Sequence, residues 1–537
     1  MNRKAFIQTI LGATALTATV SSCNKKKIIK GEIVGAAAGI GHLLRTPSTN
    51  ISTTTITTGI VIIGGGISGL SAARHLLQHG ITDFILLDLE KEVGGNAKSD
   101  SNEVSAFPWG AHYIPIPNNN LTEYISFLNE CGIIKTIDDS KIPEYKEEYL
   151  CFDPEERLFI NGRWQEGLIP HFGLSAQDIA QMDLFLKQMN VYRYAVGTDN
   201  KEAFAIPVNQ SSKDVAYLSL DSITMKEWML KNGFESDYLH HYVNYCTKDD
   251  FGTPHHKISA WAGIHYFAAR KGTATNATYS DVLTWPEGNG FLVNKLKLIC
   301  RQQTKTSCLA TKIALQDNKV MVDYFDAAAQ KYVAVEASQC IVAAPQFIAS
   351  RLINNEERTA AIKNNFNYSP WMVANIKVNE LKQKEGAPTS WDNVIYDSDS
   401  LGYIDATHQQ LQLYKSKRNL TYYMPLCTTD AVTERKQAQE KTQQDWVKII
   451  CNDLKRIHED IEEQTEEINV MIWGHAMIQP LPGFISGEAR HQMSQSINNR
   501  IHFAHTDIAG ISIFEEAFYQ GLDAAKKIIA QTTVIKS

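Results

Sequence analysis

The chain lacks a basic excess. Its 537 residues carry 52 Lys and Arg against 59 Asp and Glu, a formal net charge of −7, so it has no electrostatic footprint of a nucleic-acid binder. It has no apolar run long enough to span a bilayer, and no internal repeat is evident. None of its nine cysteines stands in a C-x-x-C pair. Most sit alone in apolar contexts such as Cys340-Ile341-Val342, so buried free thiols are expected rather than a disulfide framework. His255-His256 stands without a partner set, and no metal site is expected. What remains is an ordinary globular composition, 44% hydrophobic and 21% charged, with length for roughly two to four folding units.

One stretch, Thr58 to Ser99, organises the rest. Ile60-Val61-Ile62-Ile63 reads as a buried parallel strand. Gly64-x-Gly66-x-x-Gly69 follows at once, then a helical run with Leu70, Ala73, Leu76 and Leu77 at apolar spacing. Gly80 ends the helix, and Phe84 to Leu87 is a second strand closing on Asp88. Gly64 allows the tight turn, Gly66 lets backbone approach a pyrophosphate, and Gly69 lets helix pack on strand. The helix start, with Ile67 and Ser68, offers free N–H groups to the phosphates. Asp88 lies 19 residues after Gly69, where a carboxylate meets a ribose hydroxyl. The unit predicts a dinucleotide site.

Gly94-Gly95-Asn96 follows the acid in Lys91-Glu92-Val93-Gly94-Gly95-Asn96. Here the chain resembles the flavin-containing amine oxidase superfamily, which also includes protoporphyrinogen oxidases and phytoene desaturase-like enzymes. The resemblance implies FAD as the resident cofactor, with Gly94, Gly95 and Asn96 among its contacts. Asp88 stands where the family more usually has Glu.

The resemblance extends along the chain. Gly110-Ala111-His112-Tyr113 is similar to the family loop that passes the flavin, which makes Gly110, Ala111 and His112 expected neighbours of the ring and His112 a catalytic candidate. Trp285 to Leu292 resembles the segment returning to the flavin domain. Leu309 to Ile313 is similar to the strand whose backbone touches adenine, with Ile313 as the contact. Gln339 to Pro345 matches a strand ending in Ala-x-Pro, placing Ala344 at the cofactor. In Asp507 to Ala525 the family pattern implies contacts from Asp507, Phe514 and Ala517, with the helix start facing flavin N1–C2=O. Glu516 and His505 replace two glycines of that pattern.

Two departures bear on chemistry. The family lysine that holds a water against flavin N5 aligns with Asn375, while Lys377 lies two residues on along the same face; both are catalytic candidates. No aromatic cage is recognisable, Ile513 standing at one expected tyrosine. No Ser-Gly-Gly-Cys precedes the C-terminal segment, so FAD is expected to be noncovalent.

The implied fold is α/β: an FAD-binding Rossmann-like domain of the glutathione reductase and amine oxidase type with a discontinuous α+β substrate domain. The FAD-binding domain comprises residues 58–117, 281–366 and 466–537; the substrate domain comprises 118–280 and 367–465.

The chain opens as a targeting segment. Asn2-Arg3-Lys4 is charged, Ala5 to Val20 is apolar, and Val20-Ser21-Ser22-Cys23 resembles the lipobox of bacterial lipoproteins. Residues 1–22 are expected to be cleaved and Cys23 lipidated. Export would proceed by the Sec route or, from Arg3-Lys4-x-Phe6-Ile7, by the twin-arginine route to the periplasmic face of a membrane. Residues 23–57 read as an arm packed on the body and a Ser/Thr-rich linker.

The leading expectation is therefore an exported FAD oxidoreductase. It oxidises a small molecule by hydride transfer to flavin N5, with oxygen or a quinone as electron acceptor. Amines or polyamines are the family default. A desaturase-like or porphyrinogen-like enzyme on an apolar substrate is the alternative, and a non-catalytic lipid- or partner-binding lipoprotein of the same fold is a second.

Overall fold

The computed structural model describes residues 27–35, 37–45, 52, 54–411 and 416–536. Residues 1–22, expected to be a targeting segment, and Cys23 lie outside them.

Strand β1, Thr54–Ile63, is the centre of a seven-stranded sheet. Its β-branched residues favour extended backbone. It runs parallel to β2, Phe84–Leu87, on one side and to β3, Lys331–Val342, on the other. Val61 and Ile62 are completely buried, as continuous apolar strands of a parallel sheet must be. Between β1 and β2, helix α1 covers Ile67–Gln78. It is buried over nearly its whole first ten residues, not on one stripe, because the C-terminal helix Phe514–Lys536 lies across its other side. Ser71 Oγ donates to Phe518 O at 3.0 Å. A Cβ on Gly521 would stand 2.0 Å from Ser68 O, so that glycine sets the close approach of the two helices.

β1 begins at Thr54, inside the segment expected to be linker. Thr54 to Thr58 pair with Val333 to Ala337. The threonines that suggested a loop are good strand formers when a partner strand is present.

The second sheet has eight strands. Its middle is β4, Tyr368–Asn379, paired antiparallel with Lys417–Pro425 on one side and with β5, Thr465–Ile478, on the other. β5 was expected to open the last FAD-binding segment. It belongs instead to this sheet, where Ile468 and Val470 bury against the helix Gln443–Leu454. The arm is ordered here too: Ile33–Val34 extends the sheet alongside Val470–Met471. All eight described cysteines are free, seven of them buried. No described helix is long and apolar enough to cross a membrane.

Candidate active site

The turn after β1 opens a cleft of about 340 Å³. Gly64 takes φ +105, and a Cβ there would reach Ala343 O at 2.3 Å. At Gly69 a Cβ would meet Gly64 O at 1.9 Å, so Gly69 serves helix–strand packing and lies outside the cleft lining. Gly66 differs from both: a Cβ there has no protein atom within 4 Å and enters the cleft. Gly64, Gly66, Ile67 and Ser68 form the cleft floor at the start of α1. Asp88 lines one end, its Oδ2 accepting from Gly65 N at 2.5 Å and its Oδ1 from Glu90 N at 2.8 Å. Gly94, Gly95 and Asn96 cover the middle. Ala344, Phe514 and Ala517 close the opposite wall. An elongated cleft with a helix start at its floor, a carboxylate at one end and an open glycine face fits a dinucleotide.

At the far end the cleft meets a second cavity of about 160 Å³. Asn96, Ala111, Ala476, Ser512, Ile513 and Phe514 line both. The loop Trp109 to Tyr113 forms the boundary and is fixed at nearly every carbonyl. Trp473 Nε1 donates to Trp109 O (2.7 Å) and Tyr423 Oη to Gly110 O (2.9 Å). Thr284 Oγ1 donates to His112 O (2.8 Å) and Asn289 Nδ2 to Tyr113 O (2.9 Å). Gly110 is obligatory, since a Cβ there would lie 2.2 Å from Asn96 O. Asn96 Nδ2 in turn donates to Ala476 O at 2.5 Å, tying the cleft to β5.

The cavity walls are aromatic and charged. His112 packs against Tyr423 (4.6 Å between ring centroids) and Tyr113 (5.1 Å). Trp371 and Val373 face in from β4, and Trp473 from β5. Asp249 and Asp250, at the end of the helix Asp237–Phe251, and Glu515, in the first turn of the C-terminal helix, supply carboxylates. Arg270 is paired with Asp250, Nη2 lying 2.9 and 3.3 Å from its two oxygens. Burial depresses the His112 imidazole to about 4, so it is neutral near pH 7. Burial pushes the Glu515 carboxyl up to about 7.

Residues 67–529 match the family described as flavin containing amine oxidoreductase. The chain belongs to that family. FAD is its cofactor, and the Rossmann-like cleft supplies the matching site. Protein anon-37Cs of Drosophila melanogaster is 29% identical over 112 residues, 21% of this chain and 22% of that protein. The flavin-containing amine oxidase of Oncorhynchus mykiss is 32% identical over 89 residues, 16% of each. The matches thus span about a fifth of these curated relatives. Wild-type putrescine oxidase bound to putrescine superposes with a TM-score of 0.67 at 17% identity, covering 89% of this chain and 100% of that one. Cyclohexylamine oxidase from Brevibacterium oxydans gives 0.62 at 14%, covering 89% and 99%. These likenesses are of fold.

Against the amine oxidase frame, four expected site residues lie elsewhere. Ile313 faces the core and bridges to Ile353; a bulge between Ala310 and Lys312 shifts the register, and Cys308, Leu309 and Ala310 reach the cleft in its place. Asp507 turns away from the cleft. Its carboxylate accepts from Gln346 N and Tyr368 Oη, both at 2.7 Å, and lies 2.9 Å from His505 Nδ1. Burial works against its charge, but His505 and these donors outweigh it and hold the carboxyl below its usual range. His505 and Thr506 line the cleft instead. Asn375 is buried as a bridge, its Nδ2 donating to Pro108 O (3.0 Å) and its Oδ1 accepting from Thr421 Oγ1 (2.6 Å). Lys377 is farther along β4, ion-paired with Glu103 at 2.9 Å. Neither reaches the cavity; Val373 and Trp371 occupy the stretch of β4 that does. Glu516, standing for a family glycine, leaves room for the cleft because its Oε1 is turned back to accept from Val208 N.

Sequence reading missed Arg270 and Tyr423, and it foresaw the arm packed on the body but not its place in the cleft wall. Gly41 and Leu44 contribute to the wall of the cleft, and Glu90 Oε1 accepts from Ala37 N at 2.8 Å. Removing residues 1–45 is expected to weaken FAD retention by roughly tenfold, the worth of one buried leucine side chain. Flavin release on dilution, followed by fluorescence, checks this.

Proposed function

We propose that this flavoenzyme is an exported, lipid-anchored amine oxidase acting on a primary amine or polyamine. The observation that carries the reading is the charge of the cavity beside the flavin end of the cleft. Asp249, Asp250 and Glu515 line it against one arginine, and that arginine is committed to Asp250. An ammonium would match this charge, and the faces of Tyr113, Tyr423, Trp371 and Trp473 suit a cation on an alkyl stem. An apolar substrate would leave Asp249 and Glu515 desolvated without a cationic partner of their own, which disfavours the desaturase-like alternative.

Bound FAD would accept the hydride from the substrate C–H bond. The chain's own part is to orient that bond. The fixed loop Trp109 to Tyr113 and the aromatic walls hold the substrate, and the walls exclude water. Noncovalent binding is supported by the thiols: Cys308 lines the cleft beside Asp88, at the adenosine end and away from the ring. Lipid anchoring rests on the lipobox ending at Cys23; Cys23→Ala should move the protein from the detergent to the aqueous phase.

Anaerobic addition of putrescine and of a panel of primary monoamines is expected to bleach the flavin with at least one of them. Bleaching by none would overturn the reading. Peroxide release on reoxidation identifies oxygen as acceptor; its absence, with turnover supported by a quinone, identifies a dehydrogenase.

A further inference from the structure

We propose that Asp249 is the proton acceptor that converts the bound substrate ammonium to the free amine, with Tyr113 positioning its carboxylate. The proposal rests on the amine-oxidase reading above. An ammonium has no lone pair to support loss of hydride from the neighbouring carbon, so a proton must leave nitrogen first. The N–H bond breaks, its proton passes to a carboxylate oxygen of Asp249, and the electron pair stays on nitrogen. The C–H pair would then leave as hydride, for which FAD, when bound, supplies the acceptor. The resulting iminium takes up water to give aldehyde and ammonium.

Three geometric facts support Asp249. First, two adjacent carboxylates have been given different partners. Asp250 is clamped by Arg270, while Asp249 Oδ2 has only the Tyr113 phenol at 3.3 Å. Pairs whose surroundings differ in this way divide acid and base roles. Second, both stand in the last turn of the helix Asp237–Phe251, the negative end of its dipole, where a carboxylate holds a proton more readily. Third, Asp249 is half-buried, whereas Glu515 is only 2% exposed. Nearby, Tyr245 Oη donates to Asp392 Oδ2 at 3.3 Å, and the backbone of Asp392 pairs with that of Glu156 across the sheet.

The groups that face Asp249 are Asp250, Arg270, Tyr113, Glu156 and Asp392, with Tyr245, Tyr266, Tyr423 and Cys246 beside them. Burial and the negative charge of Asp250 push its carboxyl up to about 7, a value suited to a base working near neutrality. His112, at about 4, is poorly matched to that task.

The test uses the FAD-loaded enzyme. tert-Butylamine has no hydrogen on its nitrogen-bearing carbon, so it binds without being oxidised. Calorimetry in buffers of different ionisation heat should find about one proton released on binding near pH 6 and almost none near pH 8. Asp249→Asn should abolish that change. Anaerobic flavin reduction by putrescine, or by whichever panel amine bleaches the wild type, should fall about 100-fold or more near pH 7 in Asp249→Asn. Its rate should then rise with the free-amine fraction instead of levelling above the wild-type acid limb. Asp249→Glu should recover the limb, and Glu515→Gln should keep it. The proposal is overturned if Asp249→Asn retains both the limb and the proton count, or if Glu515→Gln removes them. If no amine binds or bleaches the wild type, the amine-oxidase reading fails, and this inference with it.

Discussion

Replacing Gly66 by valine is expected to yield a folded but colourless protein. A Cβ at this position meets no protein atom within 4 Å, so the substitution costs the polypeptide little, within about 0.5 kcal/mol. The same side chain occupies the space over the start of α1 that the pyrophosphate needs, and FAD affinity should drop by at least about 100-fold, some 2.7 kcal/mol. Absorbance of the purified variant and its melting temperature against flavin-stripped wild type measure the two effects separately. Normal flavin content would refute the assignment of the cleft. Gly69→Val is the contrasting control. Its Cβ would lie 1.9 Å from Gly64 O, backbone that cannot move without opening the turn, so this variant should fail to fold whether or not FAD is supplied.

Arg270→Ala should be the most destabilising change around the substrate cavity. The guanidinium pairs with Asp250 and partly offsets the burial of Asp249 and Glu515. Removing one partner of such a pair costs about 3–5 kcal/mol, because the remaining charge stays buried and uncompensated. The pH dependence has a definite sign. Burial raises the carboxyls of Asp249, Asp250 and Glu515 in the folded chain, with Asp249 and Glu515 brought up to about 7. Groups raised in this way bind protons more tightly when folded, so stability is greatest at low pH and falls as pH rises from the unfolded value near 4 through 7. Without Arg270 these values rise further. The melting temperature of Arg270→Ala should therefore lie furthest below wild type near pH 8 and approach it near pH 5.5. A deficit independent of pH would mean that lost packing, not charge, dominates.

How far the site could be read from residues depended on whether its parts are local in the chain. The turn from β1 into α1, Gly94-Gly95, Ala344 and the start of the C-terminal helix are short segments whose backbone path follows from their own residues. Each lines the cleft. Errors arose where a count along a strand had to give a position in space. One extra residue at the bulge after Ala310 turned Ile313 into the core. On β4 the face was right and the depth wrong. A strand advances about 3.3 Å per residue, so four residues separate Val373 in the cavity from Lys377 beyond it by roughly 13 Å. Asp507 is turned from the cleft because its carboxylate can point either way, and its two donors at 2.7 Å, Tyr368 Oη and Gln346 N, lie outside the cleft lining.

The sequence by itself determined the cofactor class and the two-part architecture, because a glycine turn between strand and helix shapes its own phosphate site from backbone groups. The charge of the substrate cavity was decided only by tertiary structure. Asp249, Asp250, Arg270 and Glu515 come from a helix end, a loop twenty residues later and the last helix of the chain. No local pattern announces that these four will share one buried space. There, a carboxylate's neighbours rather than its own chemistry decide whether it is paired or free to take a proton.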